Sequence, residues 1–337
     1  MLTGQNGILN RAGEAKTTNG VAQGEEMIKV SIMDALTRGT GELTDENLKK
    51  ALSSNLGTEG KDYEIVGGED CGWTVTIKEN DKDYKISSTG KIGEIEKVEG
   101  SSSEWRVEGN AVVEYLGSSN DIVVPNYVDG VKITEIGANI FKSSEKNGTL
   151  TISEGIKIID ESAFSASKFT GSLALPDTVE EIKNTAFAGC NGFTGDLVIT
   201  GSVKTIGNYT FAQCQGFNGN LKIQNGVNSI GDGAFIGCSN FTGGLSIPKT
   251  LKKMGSNAFG DCRGFNKNLN IENGITEIGS SAFSNCTGFT GELVIPSSVE
   301  TIQENAFLNC YGFTGNLVIP NTVKKIKDRA FLRICKK

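Results

Sequence analysis

Histidine is missing from all 337 residues. That absence excludes Ser-His-Asp and Cys-His nucleophile systems and removes the side chain most used for proton transfer and metal ligation near neutral pH. The eight cysteines contain no C-x-x-C pair, the spacing that signals zinc. A phosphate-cradling G-x-x-x-x-G-K-[ST] loop is also absent. No stretch approaches the roughly 20 apolar residues that cross a bilayer, and Met1 to Gly7 do not form the charged-then-apolar start of a signal peptide. Basic charge is in deficit, with 33 Lys+Arg against 40 Asp+Glu and a pI near 5.0. A nucleic-acid partner, which calls for a basic face and a high pI, is therefore not expected. The deficit is local: residues 1–100 hold 12 Lys+Arg against 18 Asp+Glu, and 101–337 hold 21 against 22.

What the chain does have is phenylalanine in strict periodicity. Phe141, Phe164, Phe187, Phe211, Phe235, Phe259, Phe283, Phe307 and Phe331 recur every 23 or 24 residues, which predicts nine rungs. Phe169, Phe193, Phe217, Phe241, Phe265, Phe289 and Phe313 complete the total of sixteen, so none is left for an unrelated pocket. Each period carries an L-x-I triplet, such as Leu197/Ile199 and Leu245/Ile247. Because strand side chains alternate faces, two of the three point inward, and the triplets read as short parallel strands. Pro125, Pro176, Pro248, Pro296 and Pro320, the only prolines, follow these triplets, where a missing N–H does least harm. A second apolar cluster, V-x-x-I-G-x-x-A-F, predicts a turn or second short strand and then an irregular helical turn at Ala-Phe.

A period of 20 to 29 residues with L-x-I at fixed phase is the mark of a leucine-rich solenoid, in which each unit buries its apolar edge against its neighbours. From Trp105 to Cys335, the repeats resemble the BspA-type leucine-rich repeats of bacterial surface proteins. The resemblance implies an α/β fold built as a right-handed solenoid of about nine 23- to 24-residue rungs over residues 131–337, with 101–130 as linker and N-terminal cap. It also implies a non-catalytic role in adhesion or partner binding, at the bacterial cell surface or as a secreted protein.

Residues 1–100 predict a small α+β domain: helix-like spacing from Gln5 to Thr37, and a second helix opened by Thr44-Asp45-Glu46 and closed at Gly57. Three strands around Tyr63–Val66, Trp73–Ile77 and Asp83–Ser87 predict an antiparallel meander. Leu2 to Lys16 is similar to the segment after the membrane helix in prepilin-like surface proteins of Gram-positive anaerobes. That resemblance implies a membrane link only through an upstream segment, and these residues by themselves are expected to be soluble. It supports an alternative role as a structural tip or spacer of a pilus-like or secretion assembly.

Cys190, Cys214, Cys238, Cys262, Cys286 and Cys310 form a second column, while Cys71 and Cys335 stand apart. Stacked rungs put equivalent residues about 4.8 Å apart, whereas disulfide-bonded Cβ atoms lie about 3.8 Å apart. The column therefore reads as reduced, buried thiols, with disulfides and metal as the alternatives; no cofactor is expected.

For recognition, the outward positions of the strand face offer Asp196, Asn220, Lys222, Asn268, Asn270, Glu292 and Asn316, groups suited to a glycan or polar peptide. The competing reading is that these are ordinary solvated strand residues. Tyr209, Arg263 and Tyr311 interrupt small positions elsewhere and are second candidates. Lys324, Lys325, Lys327, Arg329, Arg333, Lys336 and Lys337 crowd the last rung, either as a charged end that discourages edge pairing or as a basic docking patch. Carboxylates such as Glu180/Glu181 or Asp81/Asp83 have the residue type for a glycosidase pair, but neither pair stands out from ordinary surface charge.

Overall fold

The computed structural model describes residues 20–38, 43–68, 72–78, 82–87 and 90–334. The chain divides into two compact units, Met1–Glu96 and Lys97–Lys337. In the first, α1 (Gly20–Arg38) and α2 (Asp45–Asn55) accompany a four-stranded antiparallel sheet in the order β1 (Tyr63–Gly68), β2 (Gly72–Ile77), β3 (Lys82–Ile86), β4 (Ile92–Glu94). Thr44 caps α2 reciprocally: its hydroxyl accepts from the Asn47 N–H, and the Asn47 side chain accepts from the Thr44 N–H at 2.7 Å. Ile28, Ile32, Leu48, Leu52, Tyr63, Trp73, Val75, Tyr84 and Ile86 make this unit's core. The fourth strand is an addition to the three expected, too short at three residues to show a period. The expected helix from Gln5 is described only from Gly20 onward, and the pilin-like segment Leu2 to Lys16 lies outside the described residues, as do Cys71, Asp81, Cys335, Lys336 and Lys337.

The second unit opens with an antiparallel hairpin, Trp105–Glu108 against Ala111–Tyr115, whose Trp105 and Tyr115 rings cover Phe141 at 6.1 and 6.0 Å. Ser101 to Ser103 form a turn within this unit, the Ser101 carbonyl accepting from the Trp105 N–H. Beyond it the rungs carry short parallel strands in two columns. One column runs Glu135–Ile136, Ile158–Ile159, Glu181–Ile182, Thr205–Ile206, Ser229–Ile230, Lys253–Met254 without a break, then Glu277–Ile278, Thr301–Ile302, Lys325–Ile326. The L-x-I column is different. Leu197–Ile199 pairs with Leu221–Ile223, Leu245–Ile247 with Leu269–Ile271, and Leu293–Val294 with Leu317–Val318, as three separate two-stranded sheets. Leu173 and Leu175 are buried in register but form no strand.

The helical turn expected at Ala-Phe is replaced by a tighter corner. Every one of the nine phenylalanines is bracketed by two residues of positive φ, two before and two after: Asn139/Ser143, Tyr209/Gln213, Asn257/Asp261 and Arg329/Arg333 among them. Two left-handed residues four apart cannot lie in a right-handed helix, so among the described residues the solenoid has no helix and the α content belongs to the first unit. The corner is held by the next rung: the N–H groups of Tyr209, Phe211 and Gln213 donate to the carbonyls of Asp232, Ala234 and Ile236 at 2.7–2.8 Å. Rings from Phe141 to Phe331 stack in one file with centroids 5.0–5.4 Å apart and planes within 9°.

The cysteine column lies beside this file, all six thiols free and buried. Each Sγ–H donates to the carbonyl of a phenylalanine in the preceding rung, as Cys214 to Phe187 at 3.0 Å and Cys238 to Phe211 at 2.9 Å. That same carbonyl also accepts the N–H three residues on, so both lone pairs are used. Burial pushes Cys190 up to about 11 and Cys238 and Cys310 up to about 12, and it raises the other three too. Thiolate, the reactive form, is thereby suppressed. At the last described rung, Leu317, Ile319 and Ile326 are 38%, 38% and 49% exposed beside the lysines and arginines of that segment.

Truncating a mid-file ring, Phe235→Ala, is expected to cost about 3–5 kcal/mol through the cavity left behind, and Phe331→Ala distinctly less because that ring has a neighbour on one side only. Equal losses in urea denaturation would refute a continuous file. Ser281, at φ 54 with only a small side chain, gives the opposite case. Ser281→Gly should raise stability by up to about 1 kcal/mol by removing the left-handed penalty, and a loss in the same assay would refute that. The thiols keep their protons to higher pH in the folded chain than in the unfolded one. Their contribution is whole below about pH 9 and is lost as pH climbs toward about 12, at about 1.4 kcal/mol per pH unit for each titrating thiol. Cys262→Ala should reduce the alkaline slope of stability by about one proton, measured from urea midpoints between pH 8 and 11; an unchanged slope would refute the assignment.

Candidate functional site

The strand face of the L-x-I column is where the polar candidates lie, and hydrogen bonds sort them into groups. Asp196 Oδ1 accepts from the Asn220 backbone N–H at 2.7 Å and from its side-chain amide at 3.1 Å, and Asp196 Oδ2 lies 3.3 Å from the Lys222 ammonium. The Asn220 N–H, then the Asn220 amide and Lys222, hold the Asp196 carboxyl below its ordinary range. Asn270 donates to the Ser246 hydroxyl at 3.0 Å, and Asn316 donates to Glu292 at 3.2 Å. Much of this polar character therefore serves rung-to-rung cohesion.

One depression, of about 330 Å³, gathers four of the seven candidates: Asn220, Lys222, Asn268 and Asn270. Gly244 and Ser246 line it with them. Asp196 borders this group through Lys222, whereas Glu292 and Asn316 sit further along the arm and do not line it. The two small residues are what sequence reasoning passed over. Their signal was an omission: the position before each strand reads Asp196, Asn220, Gly244, Asn268, Glu292, Asn316, and only one rung lacks a side chain there.

The depression coincides with a seam. Leu221–Ile223 and Leu245–Ile247 belong to different sheets, so no strand ladder joins them. Gly195, Gly243 and Gly291, which precede the first strand of each of these pairs, have φ near +80, and each donates its N–H to a side chain of the rung after it: Asn218, Asn266 and Thr314. The second phenylalanine file follows the same two-rung rhythm. Its centroids are 6.0, 6.1 and 5.9 Å apart within pairs and 5.5 and 5.0 Å between them.

Elsewhere, Arg263 donates to Asp261 at 2.8 Å, Asn285 to the same oxygen at 3.1 Å, and Asn309 to Asn285 at 2.8 Å, forming a row along the corner face. Tyr311 is 40% exposed on that side, and the Tyr209 ring lies over the backbone of Gly233. Neither joins the depression. Glu180 lies 3.4 Å from Lys157, an ordinary surface pairing. Among the described residues no helix is long and apolar enough to cross a membrane, and no cluster of metal-ligating side chains forms.

A family model described as the BspA type leucine rich repeat region matches in six copies, over residues 134–263 and 204–337. No curated protein matches the chain. Among solved structures, a leucine rich repeat protein of T. pallidum is 22% identical with a TM-score of 0.49, covering 56% of this chain and 89% of that one. A leucine rich cell surface protein from Faecalibacterium prausnitzii A2-165 is 18% identical over 82% of this chain and 92% of its own, with a TM-score of 0.32. The pneumococcal vaccine antigen PcpA is 17% identical over 76% and 78%, with a TM-score of 0.33. Two overlapping matches thus span more than half the chain, and they fall on the rungs whose corners, rings and strands repeat in register; the chain belongs to the BspA-type leucine-rich repeat family.

Proposed function

We propose that this is a non-catalytic interaction protein of the bacterial cell surface, or a secreted one, whose solenoid arm engages a protein or glycan partner along its strand face. The observation that carries the reading is the convergence of Asn220, Lys222, Asn268 and Asn270 on one depression of the strand face. All sixteen phenylalanines are spent on the repeat, and the outward strand positions vary from rung to rung (Val198, Lys222, Ser246, Asn270, Val294, Val318) while the inward ones do not. A repeat scaffold that holds its inner residues constant and varies its outer ones presents a long surface with a specific pattern, which is how stacked repeats bind. Thiols kept protonated by burial suit an oxidising exterior, since oxidation needs an exposed thiolate.

Binding of the full chain to an immobilised panel of glycans and matrix proteins tests this. A triple variant that charges the strand face, Val198→Glu, Val294→Glu and Val318→Glu, is expected to abolish the response, whereas Glu46→Lys with Lys49→Glu in the first unit should not. The reverse pattern would sink the assignment of binding to the arm.

A further inference from the structure

We infer that the depression around Gly244 is a subsite for one or two rings of an acidic saccharide, a sugar bearing a carboxylate. The inference rests on the reading of the arm as a binder and names what one part of it takes. Size comes first. About 330 Å³ lies at the small end of ligand sites, which run roughly 300–1,000 Å³, so it suits a sugar ring or two and not a macromolecular segment.

The lining then selects among small ligands. Asn220, Asn268 and Asn270 each bring an amide that donates and accepts, and Ser246 brings a hydroxyl. Groups that do both match sugar hydroxyls, which also do both. None of the lining residues is acidic, and Lys222 is among them. A second lysine stands at the rim: a Cβ placed on Gly244 would lie 3.6 Å from that of Lys267. Lys222 already shares Asp196, but Lys267 forms no ion pair among the described residues. With Lys222 balanced by Asp196, the charge of Lys267 beside Gly244 is left for a ligand carboxylate to neutralise.

A peptide is the weaker occupant. Strand addition needs an open sheet edge, and here rungs continue on both sides of the seam. Protein hot spots favour Trp, Tyr and Arg, and the lining contains none.

Trigalacturonate is the probe, with its methyl ester as the matched neutral control and calorimetry or NMR titration of the full chain as the readout. Wild type is expected to bind the acid at least tenfold more tightly than the ester. Ser246→Val with Asn270→Val, which installs what Val198, Val294 and Val318 carry on other rungs, should weaken binding at least tenfold with near-ultraviolet circular dichroism of the stacked rings unchanged. Lys267→Gly, the residue of the equivalent positions Gly219 and Gly243, with Lys222→Ala should remove the preference for the acid. Equal binding of acid and ester, no binding of either, or insensitivity to the valine pair would overturn the proposal, as would a strand-forming polar peptide binding there in place of the trimer. The valine pair also separates the two readings. Loss of trimer binding with the panel response intact leaves the arm as a binder elsewhere, while trimer binding without any panel response confines it to this subsite.

Discussion

The corner around each phenylalanine governs the rest of the solenoid. Two left-handed residues bend the chain on either side of the ring, at a cost of roughly 1–2 kcal/mol each for non-glycine residues, and they recur at Asn305/Asn309 and Thr185/Gly189 as at every other rung. Such a corner survives because neighbours over-determine it. Its N–H groups bond to the next rung, and the ring it presents stacks on rings above and below at about the separation at which aromatic pairs contribute 0.5–1.5 kcal/mol beyond burial. Rungs of 23 residues, Phe141 to Phe164 and Phe164 to Phe187, keep the same corner, bonds and stacking as the 24-residue rungs that follow. The difference in length is therefore taken up outside the corner, and the corner keeps the rungs in phase.

Once that phase is fixed, polar groups along the spine are paired in columns with partners about one period away. The phenylalanine carbonyls take the thiols of the following rung. A separate row of side-chain oxygens, Asn184, Asn208 and Asp232, each accepts the backbone N–H of the residue 24 further on, at 2.7–2.8 Å. Buried polar groups without partners cost on the order of 1–3 kcal/mol each, so a column of satisfied ones is tolerated only while the stack stays in phase. Cysteine here acts as a small apolar residue that also has one donor to give, which explains why it repeats without pairing.

Much of this was legible in the spacing of phenylalanine and of L-x-I, because both columns are defined by period alone. The corners were not. Tyr209, Arg329 and Ser281 have no intrinsic preference for positive φ, and only the bonds from the next rung hold them there. The two-rung alternation leaves a faint trace in the letters, T-G after Phe193, Phe241 and Phe289 against N-G or N-K after Phe217 and Phe265, but its meaning depends on which backbone N–H the asparagine reaches. For the candidate site, residue type pointed to four of the residues that line the depression. It could not show that Asp196 and Glu292 are partly occupied with their neighbours, nor that the opening is made by the side chain Gly244 does not have.

Gly244 and Lys267 are best understood as one change. At four other rungs the side chain before the strand tucks beneath a glycine of the next: Asp196 under Gly219, Asn220 under Gly243, Asn268 under Gly291, Glu292 under Gly315. A Cβ on any of those glycines would collide with it, so the turn is closed to larger residues. Gly244 offers nothing to collide with, and the corresponding turn of the following rung accordingly accepts Lys267. Removal of one side chain thus opened a hollow and, by the same steric release, admitted a cation to its rim. The shape of the depression and its charge have a common origin, and a mutation that refilled position 244 would press on the lysine as well as on the space.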